Sequence, residues 1–426
     1  MTSRRTFVRN TVAGGALLGL QPSALEALTR PGAALSPASA APAAVDYYAK
    51  LGVPKIINAA GTYTYLTASV MPPEVQAAVA FAASHPVRLR ELQAAAGAYI
   101  AKRVKAEAAL VSSGAAAALS LGTAGCLTVG NPDASKDVPA RTATLKNEVL
   151  IQHGHRFPHD HAIEMCGTKL VEVESLADYE QAFTPKTGMA FFFNAAETGQ
   201  VSREDWVRVA HAHGVPCMID AAADVPPIAN LWNYTQMGFD LVTFSGGKGM
   251  RGPQNAGLLL GRKDLIDAAA LNDNPTDRSV GRGMKVAKEQ IIGMVAALDW
   301  LLSQTDDGIE SEARRRAERI AAAIHTLPTV TTEVVVPPVA NHIPHLMIRY
   351  DQQRIGISPA DVAVALRNGT PSIEVNPGTG MPSGASGLHS DANTIVIGPW
   401  MMQPGEDVIV GRRLHEVLAA AVRPQT

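Results

Sequence analysis

Apolar and polar positions along this chain follow two alternating rhythms. Short apolar runs at 149–151, 170–173, 189–193, 216–219 and 240–244 have the length of buried strands, below that of a typical helix. Stretches with helical spacing lie between several of them, for example 175–183 and 202–213. The second opens with Ser202 three residues before Asp205, a loose capping signal. Strands that alternate with helices predict a mainly parallel sheet covered on both faces. Ligands of such sheets sit beyond the carboxyl ends of the strands.

Further along, the pattern predicts long helices over 285–303 and 309–327. The second carries the run Arg314, Arg315 and Arg316, expected as a solvated helix face. Then come short strands at 330–336, 345–350, 372–375 and 394–398, mixed with helices at 359–367 and 406–421. This predicts a large domain over 45–300, with 45–75 as an N-terminal arm, and a smaller α+β domain over 301–426. No internal repeat is visible.

Composition narrows the class. The 426 residues are 46% apolar and 18% charged, with a formal net charge of −2. That suits a globular enzyme with a large core, and no basic block suggests a nucleic-acid partner. Cys126, Cys166 and Cys217 are odd in number and lack metal-like spacing, so neither a disulfide framework nor a metal site is expected.

The first 44 residues read differently. Arg4, Arg5, Phe7 and Arg9 precede an apolar stretch from Thr11 to Leu20. Basic residues before a short apolar run make an export signal, and the paired arginines resemble a bacterial twin-arginine signal. The apolar stretch is short for a membrane span. The Ala-, Pro- and Ser-rich residues 21–44 read as cleavage region and linker. The expectation is export of a folded protein to the periplasm by the twin-arginine machinery; a plain basic N-terminus is the alternative.

Three segments carry candidate chemistry. Val111-Ser112-Ser113-Gly114-Ala115 reads as a strand end, a turn and a helix start, where backbone amides and small residues can hold a phosphate. An ordinary capped helix would look the same. Asp220 ends an apolar run and is followed by Ala221, Ala222 and Ala223, leaving room for a flat ring beside a carboxylate; a helix cap is the alternative. Lys248 lies in Phe244-Ser245-Gly246-Gly247-Lys248-Gly249-Met250-Arg251-Gly252, a glycine-rich turn between apolar runs. A lysine buried there would lose water, its pKa would fall and its amine would become nucleophilic. A surface turn is the bland alternative. Taken in order, a phosphate loop, a carboxylate at a strand end and a turn lysine match the needs of pyridoxal phosphate.

With these segments the chain resembles the fold-type I pyridoxal-phosphate enzymes of the selenocysteine-synthase-like group. Within it the resemblance is closest to the D-glucosaminate-6-phosphate ammonia-lyase branch. It is carried by Ile57-Asn58-Ala59-Ala60-Gly61-Thr62, Ser112-Ser113-Gly114-Ala115, Gln152-His153-Gly154-His155-Arg156, Asp220 to Ala223, the segment from Asp240 to Gln254, Met284 to Glu289 and Gln403 to Glu406. The resemblance implies an aspartate aminotransferase-like architecture with pyridoxal 5'-phosphate as cofactor. Lys248 would be the Schiff-base lysine and Asp220 the partner of the pyridine nitrogen. Ser113, Gly114, Ala115 and Ser245 would hold the phosphate. His155 would lie against ring or substrate, with His153, His159 and His161 as competitors. Asn58, Thr62, Arg251 and Gln254 would face the substrate, and Arg282 and Lys285 would reach a neighbouring subunit's site, so a homodimer or larger homo-oligomer is expected.

Two departures stand out. Arg282-Gly283-Met284-Lys285 has glycine where the branch has proline. Only about a dozen residues separate the linker from Ile57, so no separate tRNA-binding domain is expected. The implied reaction is α,β-elimination on an amino acid or amino-sugar acid, giving a 2-keto acid and ammonia. A racemase or epimerase, an aminotransferase, or an exported binding protein without chemistry are the alternatives.

Overall fold

The computed structural model of the protein describes residues 45–194, 200–377 and 393–424. The expected signal and linker, residues 1–44, lie outside the described residues. The chain divides into a unit that ends at Pro54 and one that begins at Lys55. The described part of the first holds a short helix, Tyr47–Leu51. The Asp46 carboxylate accepts from the Ala49 N–H at 3.1 Å at its start, and Gly52 closes it with φ 69°.

Among the described residues the second unit contains twelve strands: β1 (Ile56–Asn58), β2 (Ala108–Ser112), β3 (Glu148–Gln152), β4 (Lys169–Val173), β5 (Thr187–Phe193), β6 (Cys217–Asp220), β7 (Leu241–Ser245), β8 (Gly257–Gly261), β9 (Thr331–Val335), β10 (His345–Arg349), β11 (Ser372–Glu374) and β12 (Thr394–Ile397). Seven form one sheet in the order β2-β8-β7-β6-β5-β3-β4. β8 is antiparallel to both its neighbours, and the remaining pairs are parallel. The sheet's apolar residues alternate between two cores, as burial on both faces requires. Phe191 and Met218 point into one; Phe192 and Ile219 point into the other. Each such buried side chain contributes roughly 1.5–3 kcal/mol relative to exposure. On the second face Trp206 stacks on Tyr179 with ring centroids 3.8 Å apart, and the Tyr179 hydroxyl donates to the Trp206 carbonyl at 3.0 Å.

Helix Ala115–Thr128 is buried from Ala117 to its end, which explains its run of alanines, glycines and leucines. Helix Arg203–Ala212 starts as expected, with Ser202 Oγ accepting from the Asp205 N–H at 3.1 Å. β12-β10-β9 form an antiparallel sheet, and β1 pairs in parallel with β11. A third core joins Ile57 and Ala59 to helices Asp306–Ile324, Pro359–Arg367 and Glu406–Ala420.

The arginine run departs from expectation. Arg314 and Arg315 pair with glutamates on the solvent side. Arg316 turns inward instead, and its guanidinium donates to the Pro399 and Met402 carbonyls and to Glu312. A helix with 3.6 residues per turn cannot keep three successive side chains on one face.

Candidate active site

The carboxyl ends of β2, β3, β5, β6 and β7 lie on one edge of the large sheet, and the chemistry-bearing residues follow them. At the end of β2, Gly114 is the residue before helix Ala115–Thr128, with φ 94° and no side-chain cap. A Cβ there would meet nothing within 4 Å, yet the backbone favours glycine. The first turn of this helix thus presents backbone N–H groups without a side-chain acceptor, the arrangement that binds a phosphate. Ser113 Oγ donates to the Met284 carbonyl at 2.9 Å, tying the turn to 282–285 of the same chain.

Asp220 is the last residue of β6, in register with Thr243 of β7. It is buried, and one carboxylate oxygen accepts from the Ala222 N–H at 2.9 Å. That is the carboxylate's one hydrogen bond among the described residues. Burial raises its pKa, and the nearby Lys248 ammonium pulls it back. Lys248 follows β7. The turn closes on itself through Gly246 N–H to the Ala256 carbonyl at 2.8 Å and Gly252 N–H to the Gly246 carbonyl at 2.7 Å. A Cβ at Gly249 would lie 1.9 Å from the Val225 carbonyl, so the turn can press against the segment after β6 because it lacks one. Lys248 is half-buried; its carbonyl accepts from the Arg251 N–H at 2.9 Å, while its amine makes no hydrogen bond or ion pair among the described residues. Burial lowers its pKa, opposed by Asp220 and Asp224.

Asp224 is a neighbour that the sequence reading missed. Its carboxylate accepts from Asn194 and from the Tyr234 hydroxyl at 3.0 Å, while its other oxygen is buried without a partner. Burial pushes its pKa up to about 6. A half-buried amine without a partner, an open carboxylate oxygen and an uncapped helix start fit a cofactor that carries an aldehyde, a ring nitrogen and a phosphate.

The other expected residues divide. Thr62 is buried and shares a recess of about 50 Å³ with Lys248, Ala60 and Gly61. Tyr63 also lines it, as do Asn341, His345 and Trp400, three residues that the sequence reading did not single out. They come from irregular segments and strand ends more than 90 positions beyond Lys248, without local motifs. Ser245 is half-buried; its backbone N–H donates to the Ala222 carbonyl at 3.2 Å. Asn58 uses its side chain on its own turn, donating to the Gly61 carbonyl at 2.8 Å and accepting from the N–H groups of Ala60 and Gly61 at 3.1 Å. It shapes the loop that carries Thr62 rather than offering its amide to a ligand. Arg251 donates to the Val70 carbonyl at 2.9 Å and lies 5.3 Å from the Trp300 ring; exposed Gln254 donates to the Thr64 carbonyl at 2.9 Å. Arg282 lies 3.6 Å from Asp277, and Lys285 is exposed.

His155 is buried in the core. Its Nδ1 accepts from the Phe193 N–H at 3.2 Å, and its ring stands edge-on to Phe192 at 4.5 Å. Burial lowers its pKa to about 4. His159, one of the competitors, is the histidine in the field of both Lys248 and Asp220; burial leads in lowering its pKa, Lys248 adds to this and Asp220 opposes it. His155 closes the 3-10 turn His153–His155 as its one buried residue.

With the geometry in place, the comparisons decide the family. The model of the family described as SelA, L-seryl-tRNA selenium transferase, matches residues 56–307. The chain belongs to that family. It is a pyridoxal-phosphate-dependent enzyme of fold type I. D-glucosaminate-6-phosphate ammonia lyase of Salmonella typhimurium is 29% identical over 87% of this chain and 98% of its own length. A 5'-C-glycyluridine monooxygenase-decarboxylase from Streptomyces is 26% identical over 87% of this chain and 92% of its own. The L-seryl-tRNA(Sec) selenium transferase of Rhizobium meliloti is 30% identical over 43% of this chain and 45% of its own. A solved D-glucosaminate-6-phosphate ammonia-lyase superposes with a TM-score of 0.75 at 26% identity, covering 89% of this chain and all of that one. A structure of SPT with its PLP internal aldimine shares the fold, with a TM-score of 0.54 at 12% identity over 86% of this chain and 88% of that one.

Proposed function

We propose that this family member is a lyase that removes ammonia from a 2-amino acid bearing a 3-hydroxyl, an amino-sugar acid or a simpler hydroxy amino acid. The observation that carries the reading is the Lys248–Asp220 pair, held on neighbouring strands beside an uncapped helix start. The near full-length likeness to an ammonia lyase supports elimination over racemisation or transamination.

Lys248 would hold pyridoxal phosphate through its amine, Asp220 would face its ring nitrogen, and the turn at Ser113, Gly114 and Ala115, with Ser245, would take its phosphate. The bound cofactor supplies an electron sink for the carbon beside the amino group. Lys248, with its pKa lowered by burial, is a base able to take the proton from that carbon. The 3-hydroxyl then leaves as water, and one water returns to release ammonium. The net reaction turns the hydroxy amino acid into its 2-keto acid and ammonium, with no oxidant or reductant. His159, whose ionisation both Lys248 and Asp220 influence, is the candidate for a side chain facing the ring.

The purified protein should show cofactor absorbance and release keto acid and ammonia in equal amounts. Loss of chirality at the α-carbon without keto acid would overturn the elimination reading in favour of racemisation.

The N-terminal arginine pair supports export by the twin-arginine route to the periplasm, in which a cofactor-loaded, folded enzyme would travel intact. A mature N-terminus beyond residue 20 by mass measurement is expected; a start at Met1 or Thr2 would refute it. Among the described residues no helix is long and apolar enough to cross a membrane. A homo-oligomer is the proposed assembly.

A further inference from the structure

The recess beside Lys248 contains polar groups that the proposed reaction leaves unused. Asn341 Oδ1 and Trp400 Nε1 are both buried without a hydrogen-bond partner. A buried acceptor and a buried donor left unpaired each cost stability, so a native protein that keeps both in one small space has a reason outside the folded chain. The positions are not slack. The Asn341 N–H donates to the Ala223 carbonyl at 2.7 Å, which anchors the loop to the segment after Asp220. Trp400 belongs to the 3-10 turn Pro399–Met401, pinned by Arg316.

His345 supplies the third group. Its ring is buried, and its Nδ1 lies 2.7 Å from the Ile343 carbonyl. A carbonyl only accepts, so Nδ1 carries the proton and Nε2 is left with a lone pair. Burial lowers its pKa to about 4, which keeps the ring neutral at pH 7. Besides the Thr62 and Tyr63 hydroxyls, the recess offers an indole N–H donor, the Asn341 amide and the His345 Nε2 lone pair, and Lys248 is the one cationic side chain among the described residues that line it. A hydroxyl, which donates and accepts at once, matches the set. At about 50 Å³ the space takes a few non-hydrogen atoms, more than a single water needs.

We propose that Asn341, His345 and Trp400 form a hydroxyl-reading subsite, which seats a hydroxyl-bearing part of the substrate's carbon chain beside Lys248. This rests on the lyase reading above and narrows its substrate to polyhydroxylated amino acids. None of the three is an acid for the leaving group: the indole N–H is not acidic and the imidazole is unprotonated. They position the chain and select for it.

The test uses the cofactor-loaded full-length protein and two probes with the same six-carbon 2-amino acid skeleton, D-glucosaminate and norleucine (both enantiomers). Binding is read from the change in cofactor absorbance. The wild type should bind D-glucosaminate at least tenfold more tightly than norleucine. Trp400→Phe keeps the ring and removes the donor, and Asn341→Gly removes the acceptor while suiting the φ of 47° at that position. Each should weaken D-glucosaminate binding by a factor of about five, the worth of one neutral hydrogen bond, and leave norleucine within twofold. A wild type that responds no better to D-glucosaminate than to norleucine overturns the subsite, as do variants that weaken both probes alike. In those cases, keto acid release from other hydroxy amino acids would leave the lyase reading standing. A protein without cofactor absorbance would remove both.

Discussion

Asp220 and Lys248 leave the carboxyl ends of two neighbouring parallel strands, and each shifts the other's ionisation toward the charged form. Burial works against both charges, and each residue offsets part of the shift that burial imposes on the other. Lys248→Ala should abolish the absorbance of the lysine-bound cofactor; an unchanged spectrum would remove the lysine from its role. Asp220→Asn keeps shape and burial but loses the charge facing the ring. It should retain cofactor and lose turnover by roughly 100-fold or more, as for other preorganised electrostatic partners. Undiminished kcat would mean that the ring nitrogen is held by another group.

The two histidines should separate cleanly. His159→Ala should lower kcat and shift the cofactor absorbance while leaving unfolding little changed, because His159 shares its field with Lys248 and Asp220. A kcat equal to wild type would exclude it from the site.

His155 should reveal itself in stability. Its pKa in the folded chain is about 4 against an ordinary 6.5. Protonation would also break the hydrogen bond that its Nδ1 accepts from the Phe193 N–H. Stability from this group is therefore present above pH 6.5 and lost as pH falls toward 4, by about 3 kcal/mol across the window. Asp224, pushed up to about 6, works in the opposite sense: its contribution is lost as pH rises from 3.8 through 6. The comparison therefore sets His155→Asn against wild type in urea unfolding at each pH. The variant should be less stable at pH 7.5, with the gap closing as pH falls to 4.5. A constant gap would contradict the neutral, buried imidazole.

Much of the sheet and part of the site were legible in the sequence, for different reasons. Strands buried on both faces leave continuous apolar runs, so β3, β5, β6 and β7 could be read directly. The strand-end residues Asp220 and Lys248 followed from those runs plus glycine chemistry in the turn. Asn58 misled because an Asx turn and a ligand contact leave the same residue type in the sequence. His155 lies in a 3-10 turn and His159 in the irregular turn after it, and spacing alone could not say which of them is buried in the core. The recess was invisible because Asn341, His345 and Trp400 meet Lys248 only through tertiary packing, and no local pattern joins them. Likewise His211, Cys217 and Asp240, whose ligand atoms lie within 4.8 Å of one another, are scattered over three elements, and there Asp240 is already paired with Arg262.

The lysine turn depends on a missing side chain. At Gly249 a Cβ would sit 1.9 Å from the Val225 carbonyl, a backbone atom that cannot swing away. Gly249→Ala must push the turn off the segment after β6, and overpacking of this kind costs about 1–3 kcal/mol or more. The shift moves Lys248 relative to Asp220. Expected results are a lower midpoint in urea and weaker cofactor retention on dialysis. A variant with wild-type stability and retention would show that the turn has room the geometry denies.

Arg316 links the distant helix to the recess. Its guanidinium donates to two carbonyls, Pro399 at 3.1 Å and Met402, and to Glu312 at 2.8 Å. Lysine is a point charge on a flexible stem and cannot reproduce that fork. Arg316→Lys should cost about 1–3 kcal/mol through carbonyls left without a charged donor. It should also loosen the turn that carries Trp400. If the turn positions the indole N–H, the variant's loss of D-glucosaminate binding will exceed its loss of norleucine binding, although residue 316 does not line the recess. Equal losses would confine Arg316 to holding the fold together.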